Sequence, residues 1–155
     1  MMEQANAVRE GNWKRMTGHE IMGKTIGVIG LGRIGKEVVK RAKAFEMPVV
    51  GLDLYWPEEF AKQYEVKKAE TFDEIFESCD IVSLHTNLTD ETRDMIRAET
   101  IAKMKKDVVI VNCARGELVN SKDMAAALAD GKVGGYATDV LDQEPPPADL
   151  SLIHI

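Results

Sequence analysis

Cysteine, histidine and proline are all scarce in this 155-residue chain, at two, three and five residues. Two cysteines cannot make a disulfide framework, so Cys79 and Cys113 are expected as free thiols in a reducing compartment. No apolar run approaches the ~18 residues a membrane span needs. The amino terminus carries no signal-peptide core. Together these set the expectation of a cytoplasmic protein without a membrane partner. Basic residues are outnumbered, 20 against 26, for a net charge of −6. That deficit argues against a nucleic-acid or anionic-lipid partner. No metal site is expected, and there is no internal repeat or low-complexity segment. What remains is 45% hydrophobic and 30% charged, the balance of a soluble globular domain. The length suits one domain with a real core.

The stretch that organises the chain is Thr25–Gly35, TIGVIGLGRIG. Its front half, Thr25–Ile29, reads as a strand buried on both faces of a parallel sheet. Its back half, Gly30 to Gly35, is a G-x-G-x-x-G. A helical pattern follows, with Ile34, Val38, Ala42 and Phe45 expected on one inward face. Strand, glycine turn and helix is the context in which this motif binds a dinucleotide. Gly30 permits the tight turn, Gly32 lets the backbone approach a pyrophosphate, and Gly35 lets helix and strand pack closely. The helix start then holds the phosphates. A glycine turn that binds nothing is the alternative. Against it, a second strand, Val49–Asp53, ends in an acid at close to the offset of about 20 residues at which a carboxylate meets the adenosine ribose hydroxyls. A carboxylate at Asp53 repels a 2′-phosphate, which favours NAD over NADP.

The remaining chain alternates. Residues 1–22 read as an arm: Glu3–Glu10 suits the end of a helix, Gly11 ends it, and Trp13 is expected to anchor the arm onto the domain. After the helix Arg33–Phe45, Met47-Pro48 blocks continuation. Pro57 opens a short helix through Gln63, and Glu65–Lys67 suits a third strand. Thr71–Glu74 is a capping-box pattern ahead of Phe72, Ile75 and Phe76. Strands follow at Asp80–Leu84, Val108–Asn112 and Gly134–Val140. Between them lie the helices Ala98–Lys105, with Ile101 and Met104 inward, and Lys122–Asp130, capped by Asn120 or Ser121 and ended by Gly131. The segment beyond Leu141, with Pro145–Pro147, should be irregular. The predicted fold is a doubly wound parallel α/β sheet of order 3-2-1-4-5-6. Its site lies just past the carboxyl ends of the strands, at Gly30–Gly35, Asp53, His85–Asn87, Cys113–Gly116 and Asp139. Arg115, where the nicotinamide half must end, could bind a carboxylate, and Glu144 adds an acid to the same rim.

Four segments now occur in order: Gly11-Asn12-Trp13, GVIGLGRIGKEV at Gly27–Val38, VNCARGELV at Val111–Val119, and DVLDQEP at Asp139–Pro145. In these the chain resembles the NAD-binding (Rossmann) domain of the D-isomer-specific 2-hydroxyacid dehydrogenases, over about residues 9–147. The Cys-Ala-Arg-Gly variant is similar to the phosphoglycerate dehydrogenase branch, among others. The resemblance implies NAD as cofactor and a small 2-hydroxy or 2-oxo acid, such as 3-phosphoglycerate, as substrate of the full-length enzyme. It places Arg33 and Ile34 over the pyrophosphate and Asp53 on the adenosine ribose. His85, Thr86 and Asn87 line the cofactor groove. The backbone of Cys113 and Ala114 meets the nicotinamide, and Asp139 accepts from its carboxamide. Arg115 orients the substrate carboxylate and polarises the carbonyl. Glu144 pairs with a catalytic histidine and raises its pKa, making it an acid for ketone reduction and a base in reverse. A homodimer through this domain is also implied.

Two departures stand out. Asn87 replaces the proline usual in the family's His-x-Pro-x-Thr, which restores a backbone N–H. The family's catalytic histidine follows the Glu-Pro loop in a Pro-His context. Here His154 comes too soon and follows Ile153, so it reads as part of a tail, 148–155. His85 lies in the groove and His19 in the arm. The expectation is therefore a cofactor domain, 23–147, without its substrate domain, which binds NAD and turns nothing over. A competing reading is a nucleotide-sensing interaction module of the C-terminal-binding corepressor type, which shares this fold.

Overall fold

The computed structural model describes residues 2–13 and 18–145. The tail containing His154, with Pro146 and Pro147, lies outside the described residues. The chain runs α1 (Met2–Arg9), β1 (Ile26–Ile29), α2 (Arg33–Ala44), β2 (Val49–Leu52), α3 (Glu58–Gln63), β3 (Lys67–Lys68) and α4 (Phe72–Ser78). It continues β4 (Ile81–Leu84), α5 (Ala98–Lys103), β5 (Val108–Asn112), a 3-10 turn at Gly116–Leu118, α6 (Ser121–Ala129) and β6 (Val133–Thr138). The six strands form one sheet, ordered β3-β2-β1-β4-β5-β6, and every pairing is parallel. The order reverses direction between β1 and β4.

Parallel strands need crossovers, and the crossovers cover both faces. On one face Ile26, Val28 and Val49 pack with Val39 and Ala42 of α2, Ala61 of α3 and Val66. On the other, Ile29, Val50, Val82, Leu84 and Ile110 pack with Ile75 and Phe76 of α4, Ile101 of α5 and Met124 of α6. Ile75 and Phe76 are fully buried. Each such side chain contributes about 1.5–3 kcal/mol.

Local signals work as the sequence suggests in several places. The Thr71 hydroxyl accepts from the Glu74 N–H, and the Asn120 side chain accepts from the Asp123 N–H. Ile101 and Met104 are buried. Other expectations need correction. The inward stripe of α2 is Gly35, Val39 and Ala42, with Val38 at its margin. Ile34 and Phe45 are 67% and 59% exposed. The spacing through Ile34 lies one residue off the face that Gly35 must present to β1. The third strand is displaced from Glu65–Lys67 to Lys67–Lys68, because Glu65 adopts a positive φ of 49° and closes the turn after α3. Trp13 does not anchor the arm: it is 87% exposed, just past Gly11, whose φ of 77° turns the chain out of α1.

Candidate functional site

Strand register places the site. Leu52 pairs with Ile29, Ile29 with Leu84, Leu84 with Asn112, and Asn112 with Thr138. These five residues form one row across the carboxyl edge of the sheet. The residues that follow them are Asp53, Gly30, His85, Cys113 and Asp139. One step along each strand thus brings every strand-end residue singled out above onto one rim. Four strand spacings of about 4.8 Å make that rim roughly 19 Å long. The sheet reverses order at its middle, which opens a crevice there.

The glycine turn crosses the middle of the rim. Gly30 has φ +97°, and a Cβ on it would stand 2.5 Å from the His85 carbonyl oxygen. Only glycine fits. A Cβ at Gly35 would overlap the Gly30 carbonyl, so α2 starts tight against the turn. Gly32 differs: nothing lies within 4 Å of the position its Cβ would take. The space over Gly32 is open, as a backbone cradle for an incoming phosphate requires. The first N–H groups of α2 have no intrahelical acceptor, and its first turn holds no acid. Arg33 and Ile34 are exposed beside it.

Asp53 closes one end of the rim. Its carboxylate accepts from the Leu31 N–H at 2.6 Å and from the Tyr55 N–H at 2.7 Å. It therefore ties β2 to the glycine turn. A carboxylate offers about four lone-pair positions, so both oxygens can still take further donors. Leu54 and Tyr55 beside it are almost fully exposed.

Toward the other end, His85 is half-buried and its Nε2 lies 2.8 Å from the Ser83 hydroxyl. Burial lowers the His85 pKa, so the ring is held neutral at physiological pH. Thr86 is half-buried and Asn87 exposed, with the Asn87 carbonyl accepting from the Thr92 hydroxyl at 2.8 Å. Cys113 is an exposed residue with a partly desolvated thiol. That desolvation, followed by the adjacent Asp139 carboxylate, pushes the thiol pKa up. Cys113 is therefore a poor nucleophile. Arg115 is exposed, and its guanidinium donates to the Ala114 carbonyl at 2.6 Å.

Glu144 arrives by a different route. A Cβ on Gly116 would overlap the Leu141 main chain, so the Arg115 loop lies directly on the loop after β6. The Leu141 N–H donates to Glu144 at 2.9 Å. Asn112 and Ser83, both buried, escaped the sequence reading as site residues. The available signal was a polar residue in a buried strand, last in the strand for Asn112 and one before the last for Ser83. Among the described residues no group of three or more His, Cys, Asp or Glu side chains is placed to hold a metal ion. No helix among them is long and apolar enough to cross a membrane.

The model of the D-isomer specific 2-hydroxyacid dehydrogenase NAD binding domain matches residues 1–155. The chain belongs to this family. D-3-phosphoglycerate dehydrogenase of Methanocaldococcus jannaschii is 49% identical over 146 residues, which is 92% of this chain and 28% of that protein. The glyoxylate reductase of Korarchaeum cryptofilum is 38% identical over 161 residues, covering all of this chain and 48% of that protein. Among solved structures, a glyoxylate reductase from Paecilomyes thermophila superposes with a TM-score of 0.86 at 38% identity, over 97% of this chain and 46% of that one. The NAD-complexed D-isomer specific 2-hydroxyacid dehydrogenase of Lactobacillus delbrueckii ssp. bulgaricus gives 0.82 at 33% identity, over 91% of this chain and 43% of that one. The chain spans less than half the length of these relatives. It corresponds to the Rossmann-type cofactor domain of the D-2-hydroxyacid dehydrogenases.

Proposed function

We propose that this domain binds NAD(H) in an extended pose along the strand-end rim. The full-length protein would transfer hydride between that cofactor and a 2-hydroxy or 2-oxo acid. The observation that carries this reading is the single register row that sets Asp53, Gly30, His85, Cys113 and Asp139 side by side. The diphosphate would lie over Gly32 against the start of α2, with Arg33 and Ile34 above it. Asp53 would take the adenosine ribose hydroxyls and disfavour a 2′-phosphate. His85, Thr86 and Asn87 would line the middle of the groove. The main chain of Cys113 and Ala114 would face the nicotinamide, and Asp139 would accept from its carboxamide. The nicotinamide supplies the hydride chemistry when bound. Arg115 would swing from the Ala114 carbonyl to a substrate carboxylate. Glu144 would orient a histidine that serves as general acid and base. 3-Phosphoglycerate is the first substrate to test, because relatives at 49% and 47% identity are D-3-phosphoglycerate dehydrogenases.

In this reading residues 1–22 are the end of a crossover helix and 23–147 the cofactor domain. The domain pairs as a homodimer, and the exposed Val8 and Trp13 on the arm are apolar side chains such a contact would cover. Sedimentation equilibrium decides that point, and a monomer at micromolar concentration refutes it.

A calorimetric titration tests the cofactor assignment. NADH should bind more tightly than NADPH, and Asp53→Ala should weaken NADH by tenfold or more, about 1.4 kcal/mol. Equal affinity for the two cofactors would remove the role given to Asp53. The 155-residue polypeptide should also fail to oxidise 3-phosphoglycerate or lactate, or to reduce glyoxylate. Turnover by it would refute the division of labour between this domain and a substrate domain. Binding of NAD without turnover by the full-length protein would favour the nucleotide-sensing module.

A further inference from the structure

We propose that Asn112, backed by Thr138, is the positioning residue for the nicotinamide end of the site. This inference rests on the reading of the rim as an NAD groove. Asn112 is completely buried at the last position of β5. Its Oδ1 accepts from the Ala114 N–H at 3.1 Å, and its Nδ2 donates to the Arg115 carbonyl at 2.9 Å. Both ends of the carboxamide are thus committed to the three-residue loop Cys113–Arg115. That loop is held from its far side by the contact of Gly116 with Leu141.

The main chain of Asn112 is held in turn. Its carbonyl accepts from the Thr138 hydroxyl at 2.9 Å. The same hydroxyl lies 2.6 Å from the Val140 carbonyl and accepts from the Val140 N–H at 3.2 Å. One hydroxyl carries one proton, so it donates to either carbonyl in alternation and accepts throughout. Asp139 sits between Thr138 and Val140, the two residues that this hydroxyl ties together. The buried Asn112 and the half-buried Thr138 together therefore set the spacing between the loop carrying Arg115 and the loop carrying Asp139 and Glu144.

The chemistry requires an amide at position 112. A carboxylate could still accept from the Ala114 N–H, but it would turn a lone pair toward the Arg115 carbonyl oxygen. A serine could make one of the two bonds and not both. Neither bond serves the adenosine end, which the glycine turn and Asp53 organise two and three strands away, respectively. The consequence is a split: loosening Asn112 should loosen only half of the ligand.

The experiment measures dissociation constants of NADH and of ADP, which lacks the nicotinamide half, on the 155-residue polypeptide and its variants. Asn112→Asp should weaken NADH at least tenfold and change ADP less than twofold. Thr138→Val should weaken NADH by three- to tenfold with the same selectivity, and Thr138→Ser should restore wild-type values. If Asn112→Asp does not fold, Thr138→Val carries the comparison. NADH affinity within twofold of wild type in the variants, or a parallel fall in NADH and ADP affinity, overturns the positioning role and leaves the NAD reading standing. A wild-type chain that binds neither ligand overturns both.

Discussion

Gly32 and Gly35 lie three residues apart and answer to different demands. A methyl group on Gly35 meets the Gly30 carbonyl, whereas one on Gly32 meets open space. Gly35→Ala should therefore destabilise the fold by about 1–3 kcal/mol, as overpacking does. Gly32 has φ −69°, which alanine adopts freely, so Gly32→Ala should change stability by less than about 1 kcal/mol. In the proposed pose it should nevertheless weaken NADH at least tenfold, because the methyl would stand where the diphosphate is placed. Thermal melts and NADH titration of both variants give the answer; a Gly32→Ala variant that keeps full affinity would move the diphosphate elsewhere. Both glycines are readable in the motif, yet only the surroundings say which serves the fold and which the ligand. Asp53 shows a similar limit. Its offset from Gly30 points to the proposed ribose contact, but its bonds to the Leu31 and Tyr55 N–H groups could not be read from spacing. Asn112 was invisible for a related reason, since an asparagine closing a strand reads equally as a turn residue.

Among the elements, the long, well-patterned ones were the most legible. The six strands and six helices among the described residues were anticipated, except for shifts of one or two residues at their ends. The short ones slipped where a single backbone angle decides, as at Glu65. The α2 face was misread because the apolar Ile34 and Phe45 fit a helical period, while Gly35, with no side chain to signal it, is the residue that touches β1. What no pattern announces is how elements are tied at their starts. Asp80, just before β4, accepts from the Thr25 N–H at 2.8 Å and from the Lys105 ammonium at 3.0 Å. Burial works to raise the Asp80 pKa, but the Lys105 bond and the Thr25 N–H outweigh it and hold the carboxyl below its ordinary value. A carboxyl depressed in the folded state stabilises above its unfolded pKa of about 3.9 and loses that contribution as pH falls through the lower folded value. Asp80→Asn keeps an acceptor for Thr25 and gives up the ion pair. It should cost about 1 kcal/mol near pH 7, discounted for the partial exposure of both partners. In urea melts the gap from wild type should hold from pH 8 to pH 5 and close below about pH 4. A gap that stays constant down to pH 2 would assign the effect to packing.

At the scale of the molecule, the sheet order was legible because alternating strands and helices with one switch of direction leave few topologies open. Selection of one acid over another, in the proposed reaction, is a different matter. Specificity comes from contacts around the substrate, and this chain covers less than half the length of its dehydrogenase and reductase relatives.

The sheet's shortest strand has a bearing on behaviour in solution. β3 is two residues long, both lysine, and both face water. A flat border of unpaired amides and carbonyls invites other chains to stack onto it, and Lys67 together with the Glu70-paired Lys68 makes so brief a border costly for any copy to desolvate. Replacing both by valine should leave the cofactor groove, on the far side of β2, unchanged in affinity while turning a clear solution turbid on warming. Light scattering that stays flat in the double variant would shift that protection to some other surface.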